Sequence, residues 1–358
     1  MTQLKRVLIM AGGTGGHVFP GLAVAKELQK QHTDVLWLGT EKGIEAQLIP
    51  DAHIPLRTIS ISGVRGKKWQ TICLAPFLLL HAIYSAARII RKYQPDVVLG
   101  FGGFVSGPGG IASWLLRYPL VIHEQNAKVG TTNRWLARVA KNVLQAFPHV
   151  FSERVQARTV GNPLRDALIH ATHEKAWPTD RPLHLLVLGG SLGAAALNEI
   201  VPQAVAAIPA PLRPLVRHQS GEKHFSDTMR HWQAAGVTAD VKSFIQDMAE
   251  AYAWADIVLC RAGALTITEL CAVGRGAILV PYPFAIDDHQ TANAEVMVKN
   301  NAAILLKQSQ LSVNLLTENL LRLIESPEDC QLMAQAAYQL RETNALEKIV
   351  RVCEESCH

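Results

Sequence analysis

Residues 8–24 read LIMAGGTGGHVFPGLAV, an apolar run followed by a glycine-rich loop and then by a helical pattern. A short apolar run closed by glycine is typical of a strand buried in a parallel sheet. The backbone N–H groups of a glycine loop at the start of a helix are suited to holding a phosphate group. The stretch therefore predicts a strand–loop–helix unit with an anion site, and His17 lies directly beside that site.

The second half of the chain repeats this pattern at residues 184–200, HLLVLGGSLGAAALNEI. Further apolar runs that end in polar or glycine-containing loops are DVLWLGT (34–40), PDVVLGFGG (95–103), LVIHEQN (120–126), ADIVLCRAG (255–263) and GAILVPYP (276–283). Strands that alternate with helices predict an α/β fold with parallel sheets, here in two separate βαβ-type domains. Ligands of such sheets bind beyond the carboxyl ends of the strands, where these loops lie.

Composition narrows the functional classes. A chain of 358 residues predicts two domains, and its net charge of +5 without a long Lys/Arg block predicts no nucleic-acid partner. Six scattered cysteines without a C-x-x-C pair indicate reduced thiols in the cytoplasm. The first residues lead directly into a strand, and no apolar run reaches the ~18 residues of a membrane span. We therefore expect neither a signal peptide nor a spanning helix.

The glycine loops do not match the common nucleotide fingerprints. Residues 12–17, 100–103 and 189–193 fit neither G-x-G-x-x-G with a distant acidic residue nor G-x-x-x-x-G-K-[ST]. Helix N-termini that hold a diphosphate without a fingerprint lysine remain, and simple tight turns are the alternative. At residues 263–270, the hydroxyls of Thr266 and Thr268 could face a phosphate. Glu269, one turn further, could bind a ribose diol or only pair with the helix dipole.

Taken together, seven stretches resemble the motifs of the MurG family of bacterial glycosyltransferases, in order and over nearly the whole chain. They are AGGTGGHVFPGLAVA (11–25), PDVVLGFGGFVSGPGG (95–110), HEQN (123–126), GNPLR (161–165), GGSLGA (189–194), RAGALTITEL (261–270) and DDHQTANA (287–294). The resemblance implies a GT-B glycosyltransferase fold, with two Rossmann-like domains facing a deep cleft. It implies an acceptor and membrane-associating domain at 1–162, a UDP-GlcNAc-binding domain at 163–339 and a C-terminal helix at 340–358 that crosses back to the first domain.

The resemblance also implies the reaction. N-acetylglucosamine passes from UDP-GlcNAc to the 4-hydroxyl of the N-acetylmuramyl unit of lipid I, with inversion at the anomeric carbon, to form lipid II. Inversion fits one in-line displacement, in which a base takes the hydroxyl proton and the leaving UDP needs charge stabilisation. The sequence has no D-x-D carboxylate pair, so we expect no metal and no cofactor. Helix N-termini with Arg165 and Arg261 are then expected to stabilise the diphosphate.

Site residues follow from the matching motifs. Ser191 and Thr266 would face the UDP phosphates, Arg165 and the backbone at Ile245 would flank the uracil, and Glu269 would bind the ribose. Asn126, Ala264 and Gln290 would line the GlcNAc, although Gln290 also reads as an ordinary loop residue. The full predicted donor set is Thr14, Gly15, Gly16, Asn126, Arg165, Ser191, Ile245, Ala264, Leu265, Thr266, Ile267, Thr268, Glu269 and Gln290. Leu192 departs from the polar glutamine of some family members, and no contact is assigned to it.

The first glycine loop falls in the acceptor domain. Its amides are expected to hold the diphosphate of lipid I, with the predicted set Gly13, Thr14, Gly15, Gly103 and Ser106. A histidine ordinarily titrates near pH ~6.5, which suits a general base, so His17 is the first candidate. His17 could instead only order the loop or the acceptor, and Glu124 is the rival base.

Lipid I implies a membrane partner. Residues 64–92 place Arg65, Lys67 and Lys68 before an apolar stretch with Trp69 and Phe77, and Trp114 and Leu115 add to it. This pattern predicts attachment to an anionic surface, or else a buried helix with a basic outer face. The resemblance implies that this surface is the cytoplasmic face of the bacterial inner membrane. Other cell-wall synthesis proteins are further partners that the family implies. The alternative functions are another GT-B glycosyltransferase, a UDP-GlcNAc 2-epimerase and a non-catalytic UDP-sugar-binding protein.

Overall fold

A computed structural model of the chain describes residues 4–61, 69–164, 166–169, 181–190 and 193–357, without the side chains of 69–74, 166 and 286. Arg165, Ser191 and Leu192 lie outside the described residues, as do the basic residues Arg65, Lys67 and Lys68. The chain divides into two compact units. Unit 1 comprises residues 1–164 with 343–358, and unit 2 comprises residues 165–342.

Unit 1 is built on a seven-stranded sheet within the described residues, with strand order β3-β2-β1-β4-β5-β6-β7 and every pair parallel. Its strands are β1 (Arg6–Met10), β2 (Asp34–Gly39), β3 (Leu56–Thr58), β4 (Val97–Gly100), β5 (Leu120–Glu124), β6 (Asn142–Gln145) and β7 (Arg158–Thr159). Its helices are α1 (Gly15–Lys30), α2 (Glu45–Asp51), α3 (Trp69–Tyr93), α4 (Ser106–Leu115), α5 (Thr131–Leu136) and α14 (Ala345–Ser356).

Unit 2 is built on a six-stranded parallel sheet within the described residues, with strand order β10-β9-β8-β11-β12-β13. Its strands are β8 (His184–Leu188), β9 (Leu215–Gln219), β10 (Asp240–Lys242), β11 (Ile257–Cys260), β12 (Gly276–Leu279) and β13 (Ala303–Leu305). Its helices are α6 (Asp166–Ile169), α7 (Ala195–Ala207), α8 (Phe225–Ala235), α9 (Met248–Trp254), α10 (Ala264–Val273), α11 (His289–Val298), α12 (Val313–Glu325) and α13 (Pro327–Gln339).

The apolar runs of the sequence become strands because both faces of each sheet are covered. Along β1, Val7 and Ile9 pack into one buried cluster and Leu8 and Met10 into another on the opposite face. This alternation explains why the run is continuously apolar rather than alternating with polar residues. The two-domain α/β prediction is confirmed.

Helix α14 completes the core of unit 1 although it comes from the far end of the sequence. It packs on α1 and on strands β4, β5 and β6. Ile349, Val350, Val352 and Cys353 are buried in the cluster that also contains Val7 and Ile9. Lys141 donates a hydrogen bond from Nζ to the backbone oxygen of Ser356 at 2.9 Å.

Both strand orders have a point where the connections change direction, between β1 and β4 in unit 1 and between β8 and β11 in unit 2. Loops that follow such adjacent strands diverge and leave a crevice for a ligand. The loops there contain residues 11–14 and 101–105 in unit 1, and residues 189–190, 193–194 and 261–263 in unit 2. The four glycine-containing motifs of the sequence thus occupy the two switch points.

Candidate active site

The first glycine loop leads directly into α1, which begins at Gly15, within the glycine-rich stretch itself. Thr14 is the N-cap residue and its side chain makes no capping hydrogen bond. The backbone nitrogens of His17 and Val18 already donate to the Thr14 carbonyl at 3.1 Å. The first turn carries no acidic residue, so the positive end of the helix is left to the amides of Gly15 and Gly16.

A buried carboxylate holds this loop in place through a hydrogen bond. Glu45 is fully buried and accepts the Gly13 N–H at 3.1 Å through Oε2. Its Oε1 accepts the backbone N–H and the hydroxyl of Thr40, at 3.0 and 2.7 Å. The Gly13 amide, predicted to bind the acceptor diphosphate, therefore already has an acceptor within the protein.

The loop after β4 lies against the first loop. Gly103 has a φ of +78°, and a Cβ placed on it would be 2.2 Å from the carbonyl oxygen of Gly12. Only glycine permits this approach. Ser106 opens α4, but its buried hydroxyl contacts the carbonyl oxygens of Met10 and Gly102 at 3.0 and 2.7 Å. The side chain of Ser106 thus connects the loop after β4 to the end of β1, and its hydroxyl is engaged inside the protein.

His17 is half-buried and connects to the end of β5. Its Nδ1 lies 3.1 Å from Oε1 of Gln125. Nε2 of Gln125 lies 3.2 Å from both Nδ1 and the backbone oxygen of His123. His123 is fully buried, and its Nε2 lies 2.8 Å from the carbonyl oxygen of Gly161. Burial lowers the pKa of His123 from 6.5 to about 4, so this side chain is neutral at neutral pH.

Glu124, the rival base, is almost completely buried and its carboxylate accepts four hydrogen bonds. Oε1 accepts the backbone and side-chain N–H groups of Asn126, both at 3.1 Å. Oε2 accepts the Gly130 backbone N–H and the Asn133 side-chain amide, both at 3.0 Å. This side chain therefore organises the loop after β5. Asn126, predicted to line the GlcNAc, has its side-chain amide on Glu124.

A cationic cavity adjoins this loop. It has a volume of about 660 Å³ and is lined by Val129, Arg134, Ala137, Arg138, Val150, Phe151, Ser152, Arg154 and Val155. Arg138 also stacks on the ring of Trp135, with 4.3 Å between its Cζ and the ring centroid. Three guanidinium groups without an acidic residue in the lining suit an anionic group.

In unit 2, the glycine loop after β8 makes a close turn beside β9. Gly193 has a φ of +78°, and a Cβ there would lie 2.3 Å from the Ser220 carbonyl oxygen. Helix α7 then begins at Ala195 without a side-chain cap. The strand–loop–helix unit that the sequence predicts is present, and the N-terminus of α7 lies at the switch point. The predicted phosphate ligand of this loop, Ser191, is outside the described residues.

The loop after β11 presents a second helix N-terminus. Helix α10 has Gly263 as its N-cap, with no side-chain cap and no acidic residue in its first turn. Leu265 and Thr266 are half-buried there, beside the buried Ala264. The side chains of Ile267 and Thr268, two further predicted ligands, are buried. Ile267 is fully buried in the core, and the Thr268 hydroxyl donates to the Ala264 carbonyl at 2.9 Å.

Two charged side chains near α10 have partners within unit 2. The hydroxyl of Tyr252 donates to Oε2 of Glu269 at 2.9 Å, which fixes the carboxylate one turn into the helix. Arg261 donates to the carbonyl oxygens of Val280 and Pro281 at 3.0 and 3.2 Å. These contacts and a bond to Oε1 of Gln308 at 2.6 Å place the guanidinium in a structural role. The expectation that Arg261 stabilises the diphosphate therefore lacks support from its contacts.

The two other residues predicted to bind UDP-GlcNAc take part in hydrogen bonds with side-chain amide oxygens. The Ile245 backbone N–H donates to Oε1 of Gln219 at 2.9 Å, so Ile245 is a fixed point beside β9. Oε1 of Gln290 accepts the Tyr282 backbone N–H at 2.8 Å. Gln290 therefore orders the loop after β12 through its oxygen.

Four residues whose side chains hold the site loops in place were not predicted from the sequence: Glu45, Gln125, Gln219 and Tyr252. Gln125 belongs to a stretch that carries the family resemblance, so its position was a signal that could have found it. Nothing in the sequence pattern connects Glu45 with Gly13 or Tyr252 with Glu269, because those contacts depend on tertiary packing.

An exposed apolar stripe runs along α3. Phe77, Leu80 and Tyr84 are 63–71% exposed and follow helical spacing, while Ala82 and Ala86 on the opposite side are buried. The exposed residues Arg88 and Arg91 continue the stripe, and Trp114 and Leu115 on the adjacent α4 are more than half exposed. In the described part of the chain, none of the helices combines the length and the hydropathy that a bilayer crossing requires.

Known proteins resemble the chain over almost its whole length. The crystal structure of Acinetobacter baumannii MurG has 41% identity and a TM-score of 0.86, covering 98% of this chain and 99% of its own. A solved UDP-N-acetylglucosamine 2-epimerase has 13% identity and a TM-score of 0.65 over 97% of this chain and 94% of its own. At that identity the second likeness is one of fold alone.

Proteins that are similar in sequence also match the chain over almost its whole length. A protein of Marinobacter nauticus named UDP-N-acetylglucosamine--N-acetylmuramyl-(pentapeptide) pyrophosphoryl-undecaprenol N-acetylglucosamine transferase is 51% identical over 356 residues, which are 99% of this chain and 98% of the relative. Residues 7–145 match the model of the glycosyltransferase family 28 N-terminal domain, and residues 184–349 match that of its C-terminal domain. The chain therefore belongs to glycosyltransferase family 28 and, within it, to the MurG family.

Proposed function

We propose that the chain transfers N-acetylglucosamine from UDP-GlcNAc to the 4-hydroxyl of the N-acetylmuramyl unit of lipid I, which yields lipid II. The observation that carries this assignment is 51% identity over nearly the full length to a transferase of that specificity. The fold alone would leave an epimerase equally open, because a UDP-GlcNAc 2-epimerase shares it at 13% identity. Relatedness of this extent favours transfer.

We assign proton abstraction from the acceptor hydroxyl to His17. Its ring is half-buried at the start of α1, and one nitrogen is engaged by Gln125, so the other can accept a proton. The carboxylate of Glu124 is buried and saturated by four N–H donors. Proton transfer to Glu124 would displace one of those buried donors and leave it without an acceptor, so the geometry favours His17.

The donor diphosphate is proposed to bind at the N-termini of α7 and α10. Both helices start at the switch point of unit 2 without a side-chain cap. Their amides and aligned dipoles stabilise the negative charge that develops on UDP as the glycosidic bond breaks. Glu269, held by Tyr252, is proposed to accept the ribose hydroxyls.

The acceptor is proposed to enter unit 1 from a membrane surface. The amides of Gly15 and Gly16 would hold the diphosphate of the lipid, as both lie at the uncapped start of α1. The stripe formed by Phe77, Leu80 and Tyr84, with arginines further along α3, would rest in the headgroup region of an anionic bilayer. The site of action is then the cytoplasmic face of the inner membrane, where other cell-wall synthesis proteins would be neighbours.

The test is UDP release from UDP-GlcNAc by the full chain, with and without a lipid I analogue, together with identification of the product linkage. UDP release that requires the lipid and yields a β-1,4-linked disaccharide is the expected result. Conversion of UDP-GlcNAc without the lipid would contradict transfer and indicate epimerisation. Repeating the assay in EDTA tests the expectation of metal independence, since lost activity would contradict it.

A further inference from the structure

The ring of His17 is connected to two backbone carbonyl groups through Gln125 and His123. Carbonyl oxygens only accept hydrogen bonds, so they determine how the polar hydrogens along this connection are arranged. The proposed base function of His17 depends on which ring nitrogen carries the proton. The inference below therefore rests on the proposed function and deepens it.

The orientation of the Gln125 side chain follows from its contact with the backbone. One end of the amide lies 3.2 Å from the backbone oxygen of His123, and only the NH₂ group can donate to that oxygen. The other end, 3.1 Å from Nδ1 of His17, is therefore the amide oxygen. Gln125 is 1% exposed, so water does not offer the amide a competing arrangement.

The tautomer of His123 strengthens the same arrangement. Its Nε2 lies 2.8 Å from the Gly161 carbonyl oxygen, so Nε2 carries the proton and Nδ1 is left as an acceptor. Nδ1 then accepts the second N–H of Gln125 at 3.2 Å. Burial keeps His123 neutral by lowering its pKa to about 4, so Nδ1 stays available.

Further amides keep the connecting residues in place. The side chain of Asn133 donates to the His123 carbonyl oxygen at 3.0 Å. The side chain of Asn162 donates to the Gln125 carbonyl oxygen at 3.1 Å. All four residues are at most 2% exposed, so the arrangement is anchored in the interior of unit 1.

From this geometry we infer that Gln125 is a positioning residue that holds His17 as the Nδ1–H tautomer and leaves the lone pair on Nε2 for the acceptor hydroxyl. An amide oxygen accepts the Nδ1–H bond both before and after Nε2 takes a proton, and the bond is stronger when the ring is a cation, so the ring keeps its orientation through the step. In the serine-protease triad, loss of the correct tautomer lowers kcat by about 10⁴. Gln125 is neutral, and we expect a smaller effect here.

The direct test is ¹⁵N NMR of the full wild-type chain labelled at histidine, with the His17 signals identified by their loss in His17→Gln. We expect a protonated Nδ1 and an unprotonated Nε2 at a pH where the ring is neutral. An Nε2–H tautomer, or an equal mixture, would overturn the inference. This measurement requires neither turnover nor a folded Gln125 variant.

The kinetic test compares Gln125→Met with Gln47→Met, the same replacement at an exposed position of α2. Gln125→Met should give a tautomer mixture and a kcat about 10- to 100-fold lower, with the KM for UDP-GlcNAc unchanged. Gln47→Met should match the wild type. An unchanged kcat in Gln125→Met would overturn the positioning role.

Two measurements on the wild type, the tautomer of His17 and the lipid dependence of turnover, distinguish failure of this inference from failure of the proposed function. If the wild type shows the Nδ1–H tautomer but converts UDP-GlcNAc without lipid I, the transferase assignment fails and the tautomer assignment stands. If the wild type transfers GlcNAc but His17 is an Nε2–H tautomer, the function stands and the positioning role fails.

Discussion

The buried carboxylate of Glu45 lies 3.1 Å from the backbone nitrogen of Gly13, 32 positions earlier in the chain. Because Oε1 also binds Thr40, the carboxylate fixes the first glycine loop against the start of α2. Replacement by glutamine keeps the volume but puts an NH₂ group opposite an N–H donor. We expect Glu45→Gln to lower the free energy of unfolding by about 1–3 kcal/mol and to raise the KM for lipid I.

Urea unfolding and steady-state kinetics check this prediction, with Glu41→Gln as the control because Glu41 is exposed on the same connection. Equal effects of the two replacements would show that the buried contact does not organise the loop.

Gly103 and Gly107 provide a pair of substitutions with opposite expected signs. A Cβ at Gly103 would lie 2.2 Å from the Gly12 oxygen at a φ of +78°, whereas at Gly107 the nearest atom is a methyl carbon of Thr132 at 3.8 Å. Gly103→Ala should lower the free energy of unfolding by about 3 kcal/mol. Gly107→Ala, in the first turn of α4, should raise it by up to about 1 kcal/mol. Thermal unfolding that gave both variants the same Tm would refute the close approach of the two loops.

Substitutions of His17 and Glu124 should have different effects on kcat and Tm. His17→Ala should lower kcat by about 10²–10⁴ while the Tm stays near that of the wild type, because the ring is half-buried. Glu124→Gln should lower the Tm, because four donors then face an amide. Its residual kcat, measured on folded protein below its Tm, should exceed that of His17→Ala. The reverse order of kcat would make Glu124 the base.

The stability of unit 2 should fall in mild acid because of His218. Its Nδ1 accepts the Trp232 indole N–H at 3.1 Å, and burial lowers its pKa from 6.5 to about 3. Between those pH values the unfolded state binds a proton that the folded state does not, so stability decreases as the pH falls below ~6.5. From pH 7.5 to 4.5 this one group should remove about 2–3 kcal/mol.

Urea unfolding at both pH values checks the prediction. His218→Gln should lose less stability over this range, although it is less stable at pH 7.5. His81→Gln, at an exposed position of α3, should keep the wild-type pH dependence. A wild-type pH dependence in His218→Gln would show that His218 is not the group responsible.

Membrane attachment should depend on the α3 stripe. Leu80 is 63% exposed there, and Leu332 is 62% exposed on α13 of the other unit. Burying a leucine in an apolar environment contributes about 1.5–3 kcal/mol, so Leu80→Glu should weaken binding to anionic vesicles at least about tenfold. Leu332→Glu should leave vesicle binding unchanged. Sedimentation with phosphatidylglycerol vesicles measures the binding of both variants. Equal binding would show that the α3 stripe does not contribute to membrane attachment.

The repeated strand–loop–helix pattern was sufficient to predict two parallel α/β domains, because burial of both sheet faces demands continuous apolar runs such as residues 7–10 and 185–188. It also placed the glycine-containing loops at the carboxyl ends of strands, whereas the switch points became known only from the strand order. The side-chain contacts inside those loops were not predictable. Whether the hydroxyl of Ser106 faces a ligand or a carbonyl oxygen depends on packing that no local pattern records. The same holds for the amide of Gln125, whose partners are His17 at the start of α1 and His123 in β5.

Helix α14 has a consequence for biosynthesis. The buried side chains of Ile349 and Cys353 belong to the same cluster as Val7, so unit 1 lacks part of its interior until the ribosome has translated residues 343–357. Unit 2 is continuous from 165 to 342 and has all its strands before then. The order of domain completion is therefore the reverse of the order of synthesis. Until α14 has been synthesised, the first half of the chain therefore exposes the apolar surface that this helix later covers.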